Sequence, residues 1–204
     1  MQDQTREEEL QDRLKLIESM IAEGRRTTES WGWIFVLWGI AYYAAIGWSI
    51  WGQSAWAWPI TMIAAVIITV GVASLKGSNH PGTTLGRAVI SIWIAVGITM
   101  FLLFPALGLS GRLTDPHVFI AVVSAILGVA NGASGLLLRW KTQFGCAMVW
   151  WAAAVVSCFG AEKLSLVVFL AAIFLCQIVF GIYGLFAQSQ KRKRRNEPDR
   201  LAHA

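Results

Sequence analysis

No aspartate or glutamate occurs between Glu29 and Asp115, nor between Asp115 and Glu162. Stretches that long without an acid do not cover themselves with water, and they restrict the chain to an apolar solvent. Composition agrees: 56% of the 204 residues are hydrophobic and 14% are charged, against about 45–50% and about 25% in soluble domains. An ordinary soluble fold is excluded, and a polytopic all-α membrane protein is expected.

A helix needs about 20 mostly apolar residues to cross a hydrocarbon core of about 30 Å. Six segments meet that length: Trp31 to Trp51, Trp56 to Leu75, Gly86 to Leu107, Pro116 to Leu138, Phe144 to Phe159 and Leu164 to Phe186. Pro105 is expected to bend or end the third. The fifth is barely long enough and must stand upright or thin the bilayer. The resulting organisation is a helix over 1–29, a six-span domain over 30–187 and a basic disordered tail over 188–204.

Six spans put both termini on one side, and positive charge tells which. Of the 17 Lys and Arg, 15 lie on the termini and the loops of that same side, while only Arg112 and Lys163 lie opposite. Both ends are therefore expected in the cytoplasm of a bacterial inner-membrane protein. The net charge of +5 is mostly this topology signal, not a nucleic-acid footprint. Trp48, Trp51, Trp56 and Trp58 mark the outer interface and Trp31, Trp33 and Trp140 the inner one, because indole rings favour the headgroup zone. The first 30 residues carry 13 charges and no apolar run, so the first span is expected to serve as its own insertion signal.

From Thr5 to Thr28 the chain reads as an amphipathic cytoplasmic helix with a narrow seam at Leu10, Leu14, Ile17 and Ile21. Residues 1–30 hold eight acids and five bases, a balance that favours protein contact over anionic lipid. The seam suits pairing with a second copy, docking on the inner loops, or a solvated connection. At the other end, Lys191, Arg192, Lys193, Arg194 and Arg195 form a run that fixes topology and also suits anionic lipid or the acidic start of the first helix.

Glycines suggest a repeat of three hairpins. Gly71 to Leu75, Gly132 to Leu136 and Gly181 to Leu185 all fit glycine, two residues, a small residue and leucine, and the odd spans begin near Gly32, Gly86 and Gly145 with Trp38, Trp93 and Trp151 six or seven residues on. This layout resembles the HdeD acid-resistance membrane proteins of bacteria over roughly Trp31 to Phe186. Pro59 and Pro105 or Pro116 match that family's prolines at outer turns, whereas the hairpin around Glu162 has none. The resemblance implies a stress-related inner-membrane protein without established catalysis, and it transfers no functional residue.

Membrane-embedded enzymes and coupled carriers hold ionisable groups at membrane depth, and these spans are read as holding none. His80, His117 and His203 have no metal-ligand spacing, so no catalytic residue, metal or cofactor is assigned. Asp115 and Pro116 read as a helix cap and first helical residue. Cys146, Cys158 and Cys176 read as buried structural thiols. The candidate intramembrane site is Asn131 and Gln177, which share a depth and are placed to hydrogen-bond each other or to face a cavity with Trp38, Trp93, Trp150 or Trp151. Ser124, Gly128 and Gly132 recur every four residues beside Asn131, the pattern of close helix approach.

Two readings follow. The first is a non-enzymatic, oligomeric membrane module acting through its cytoplasmic helix and basic tail on protein partners. The second is a carrier or pore for a neutral or lipophilic small molecule. Cysteines introduced at Lys76 and Arg139 are expected to react with an impermeant thiol reagent only from the cytoplasmic side, and one at Arg112 only from outside. Labelling of all three from one side contradicts the six-span topology.

Overall fold

The computed structural model describes residues 2–54, 56–76, 84–111 and 115–190. They form helices and no strand. The helices are α1 (Gln2–Ser30), α2 (Gly32–Gly52), α3 (Ala57–Lys76), α4 (Thr84–Leu109), α5 (Pro116–Leu137), α6 (Lys141–Phe159) and α7 (Glu162–Gln190). Within α7 the segment Phe174–Val179 is a π-helical turn. Among the described residues, the six helices α2 to α7 are long and apolar enough to span a membrane. Many of their residues are β-branched or aromatic and favour strands in water, but in hydrocarbon the helix alone satisfies each backbone amide within its own segment.

Two expected boundaries move. Helix α6 starts at Lys141, three residues before the apolar stretch, so it has 19 residues and rises about 28 Å. Helix α4 continues through Pro105 to Leu109, so the proline interrupts one hydrogen bond but does not end the helix.

Helices α5, α6 and α7 all touch one another, with α2 laid against α7, and they hold most of the core. Helix α3 packs on α2 and α4 on α5, but both turn nearly all of their length outward. The most extensive contact in the molecule joins α5 to α6. It is made possible by missing side chains: a Cβ on Gly132 would lie 2.8 Å from the Trp151 ring, and one on Gly135 would lie 2.7 Å from the Phe144 amide nitrogen. Gly128 takes the other edge of the Trp151 indole. The small-residue stripe on α5 is thus a groove that seats one tryptophan.

A second close crossing joins α2 to α7. A Cβ on Gly181 would come within 2.7 Å of the Gly32 carbonyl oxygen, and one on Gly39 within 3.0 Å of the Gln177 Cβ. Tyr43 adds a hydrogen bond from its hydroxyl to the Leu170 carbonyl at 2.8 Å.

One end of the bundle gathers the α1–α2 junction, the start of α4, the α5–α6 turn and the last turns of α7. Gly24 of α1 packs against Leu138 and Leu85, and Gly184 of α7 against Glu29. The α5–α6 turn is tight, with Arg139 in the left-handed region at φ 48°. Arg25 covers the carbonyls of that turn: its Nε donates to the Leu138 carbonyl at 2.8 Å, and its Nη2 donates to the Arg139 carbonyl. Aromatic rings close the space beneath, with Trp140 against Phe180 at 5.3 Å and Phe35 against Phe180 at 5.2 Å.

Replacing Gly128 with alanine is expected to destabilise the bundle by about 1–3 kcal/mol, the usual range for overpacking. The same change in a Trp151→Ala background is expected to cost much less, because the ring it displaces is gone. Thermal unfolding of the four proteins in detergent checks this, and additive effects would remove Trp151 from the groove.

Candidate functional site

Asn131 is fully buried on α5. Its Nδ2 donates to the Leu127 carbonyl one turn back at 2.9 Å, and its Oδ1 has no protein partner. Gln177 is buried in the π-helical turn of α7, and its Oε1 is also unpartnered. The hydrogen bond expected between these two amides is therefore not formed. Each helix uses its own backbone, or nothing, to satisfy its amide.

The tryptophans take separate positions in the bundle. The half-buried Trp38 ring stands 6.3 Å from that of Tyr42 on the same helix, α2. Trp93 of α4 meets Phe35 edge-on at 5.4 Å, with its indole Nε1 buried and unpartnered. Trp151 fills the α5 groove and meets Phe144 at 6.3 Å. Trp150, one residue away, is wholly buried, and its Nε1 has no protein partner either.

Gln143 lies outside the site expected from sequence. It is 0% exposed, and neither its Oε1 nor its Nε2 has a protein partner. Beginning the fifth span at Phe144 placed it in a loop, whereas α6 begins two residues before it. A periodic signal was present. Gln143, Trp150 and Ser157 recur every seven residues on α6, as His117, Ser124 and Asn131 do on α5, so each set lies on one helix face. All of them except His117 are buried.

A cavity of about 250 Å³ opens at the end of the bundle opposite α1. Ile46, Ile50, Trp58, Phe119, Leu166 and Phe169 wall it, with Ser49, His117, Glu162 and Ser165 as its polar lining. Asn131 and Gln177 do not line it. Asp115 caps α5 as expected, accepting from the His117 amide at 2.8 Å with Pro116 as the first helical residue. The His117 ring does more than follow a cap. Its Nδ1 lies 3.1 Å from both the Ser157 carbonyl oxygen and the Ser165 hydroxyl. A carbonyl only accepts, so Nδ1 carries a hydrogen, and the ring ties the start of α5 to the end of α6 and the start of α7.

On α1 the seam residues Leu10, Leu14 and Ile17 are 54%, 61% and 51% exposed, while Ile21 is half-buried. Flanking them, Arg13 pairs with Glu9 and Lys15 with Asp12. Lys191, Arg192, Lys193, Arg194 and Arg195 lie outside the described residues. Of the three cysteines only Cys176 is buried, with its thiol donating to the Cys146 carbonyl at 3.5 Å. Cys146 is half-buried and Cys158 is exposed, so the expectation of three buried thiols is corrected. The reason is helical phase, which turns Cys158 outward beside the buried Ser157.

No protein-family model, curated protein or solved structure matches the chain.

Removing the His117 ring is expected to loosen the junction of α5, α6 and α7. His117→Ala should cost about 1 kcal/mol, read as a fall in melting temperature of about 2–4 °C. Ser165→Ala added to it should cost less than it does alone. Full additivity would show that the two side chains act separately.

Proposed function

We propose that this chain is a non-enzymatic membrane interaction module of the bacterial inner membrane, with both ends in the cytoplasm and α1 as its docking helix. One observation carries the reading. Helix α1 is fastened to the bundle by its last two turns, through Gly24, Arg25 and the buried Thr28, while Leu10, Leu14 and Ile17 stand uncovered on the turns before them. A helix held at one end presents its apolar seam in a fixed direction, which lowers the ordering cost of binding.

The proposed occupant is the seam of a second copy. The seam is narrow and spaced by alternating fours and threes, the geometry by which two helices pack knobs into holes. Two heptads pair weakly in isolation, but spans already confined to one membrane raise the effective concentration of the partner helix. The run Lys191 to Arg195 then serves as an anchor to anionic lipid. The resemblance to HdeD proteins adds a stress-related role to this proposal.

A second reading, a carrier or pore for a neutral or lipophilic molecule, draws support from the cavity beside His117. That cavity is walled by the first turns of α5 and α7 and the end of α2, at the end of the bundle opposite α1.

Leu14→Cys in native membranes is expected to form an intermolecular disulfide on mild oxidation, and Leu10→Glu with Ile17→Glu in the same chain to abolish it. Deletion of residues 1–21, which leaves Gly24 to Ser30 in place, should remove the association while the protein still inserts. Absence of a cross-linked dimer, or a dimer unaffected by the deletion, overturns the docking role of α1.

A further inference from the structure

Seven buried side-chain polar atoms without a protein partner lie on α5, α6 and α7: Ser124 Oγ, Asn131 Oδ1, Ser134 Oγ, both amide atoms of Gln143, Trp150 Nε1 and Gln177 Oε1. Their heights along the bundle follow from the packing. Gly135 against Phe144 and Gly132 against Ala147 set the antiparallel register of α5 and α6, and His117 beside Ser165 sets the parallel register of α5 and α7. With a rise of about 1.5 Å per residue, Ser124 falls near the height of Ser157, Asn131 near that of Trp150 and Gln177, and Ser134 near that of Gln143.

The middle level joins one donor, the Trp150 indole N–H, to two acceptors, the Asn131 and Gln177 amide oxygens, on three helices that touch one another. These atoms do not bond each other. A molecule that accepts once and donates twice satisfies all three, and a buried water makes about three such bonds. The next level offers the same match, since Gln143 supplies both an acceptor and donors beside the Ser134 hydroxyl. In hydrocarbon each orphaned group costs several kcal/mol, and seven together exceed what a domain of this size withstands.

We propose that the interior of α5, α6 and α7 is a hydrated path: water enters from the His117 cavity, passes Ser124, and binds at the Asn131–Trp150–Gln177 level and at the Ser134–Gln143 level. The sites accept water and neutral hydrogen-bonding molecules of its size. This proposal does not depend on the role of α1.

Hydroxyl-radical footprinting by pulsed X-rays tests it on the full chain in lipid nanodiscs, because radicals made from bound water oxidise the side chains beside it. Two buried tryptophans provide the comparison. Trp150 is 0% exposed and Trp140 is 8% exposed, the latter packed on Phe180, so burial alone ranks Trp140 as the more reactive. The path requires the reverse, with Trp150 oxidised several-fold faster. Asn131→Leu should bring the Trp150 rate down towards that of Trp140 and leave Trp140 unchanged. Oxidation of Trp150 at or below the rate of Trp140 in the unaltered protein overturns the proposal, whether or not the variant folds; so does a Trp150 rate that Asn131→Leu leaves unchanged.

Discussion

Hydrocarbon offers an amide group no water, and that condition shapes this chain at every level. It makes helices of sequences whose β-branched and aromatic residues favour strands in water. It also removes the hydrophobic effect as a force between the helices, because lipid tails are as apolar as leucine. What remains to hold the bundle is close packing and internal hydrogen bonding. The close packing is concentrated where side chains are small: Gly128, Gly132 and Gly135 against α6, and Gly32, Gly39 and Gly181 between α2 and α7.

These crossings explain the uneven structure of the domain. Helices α5, α6 and α7 form a close-packed unit with α2 against it and carry most of the buried polar residues, while α3 and α4 border the unit and turn outward. The two ends of that unit are finished differently. At one, Arg25 reaches from α1 to the carbonyls of the left-handed turn at Arg139. At the other, His117 joins three helix termini beside a cavity. A charged clamp and the uncovered apolar seam of α1 at one end, with a cavity at the other, give the molecule two faces of different chemistry.

Much of this was legible in the residues. Apolar stretches about 20 residues long located six helices, and Asp115 with Pro116 announced a helix start that the structure contains. The small-residue spacing on α5 pointed to close approach, though only three dimensions identify Trp151 as what fills it. The site was less legible, for physical reasons. Gln143 looked like loop because Lys141 and Gln143 are polar, yet a helix buries a polar residue when neighbours enclose it. Pairing Asn131 with Gln177 followed from shared depth alone, and depth does not report azimuth. The Arg25 clamp spans 113 residues of sequence, and no local pattern encodes so distant a partner.

The central claim is that α2 to α7 cross the bilayer while α1 stays outside it. Electron cryo-microscopy of the chain in lipid nanodiscs measures this directly, since the lipid belt locates the hydrocarbon slab in the map. The account predicts a slab about 30 Å thick, with His117 and Gln143 near its opposite boundaries and Leu10 to Ile17 clear of it. A belt that leaves any of the six helices outside, or that covers the seam of α1, contradicts it.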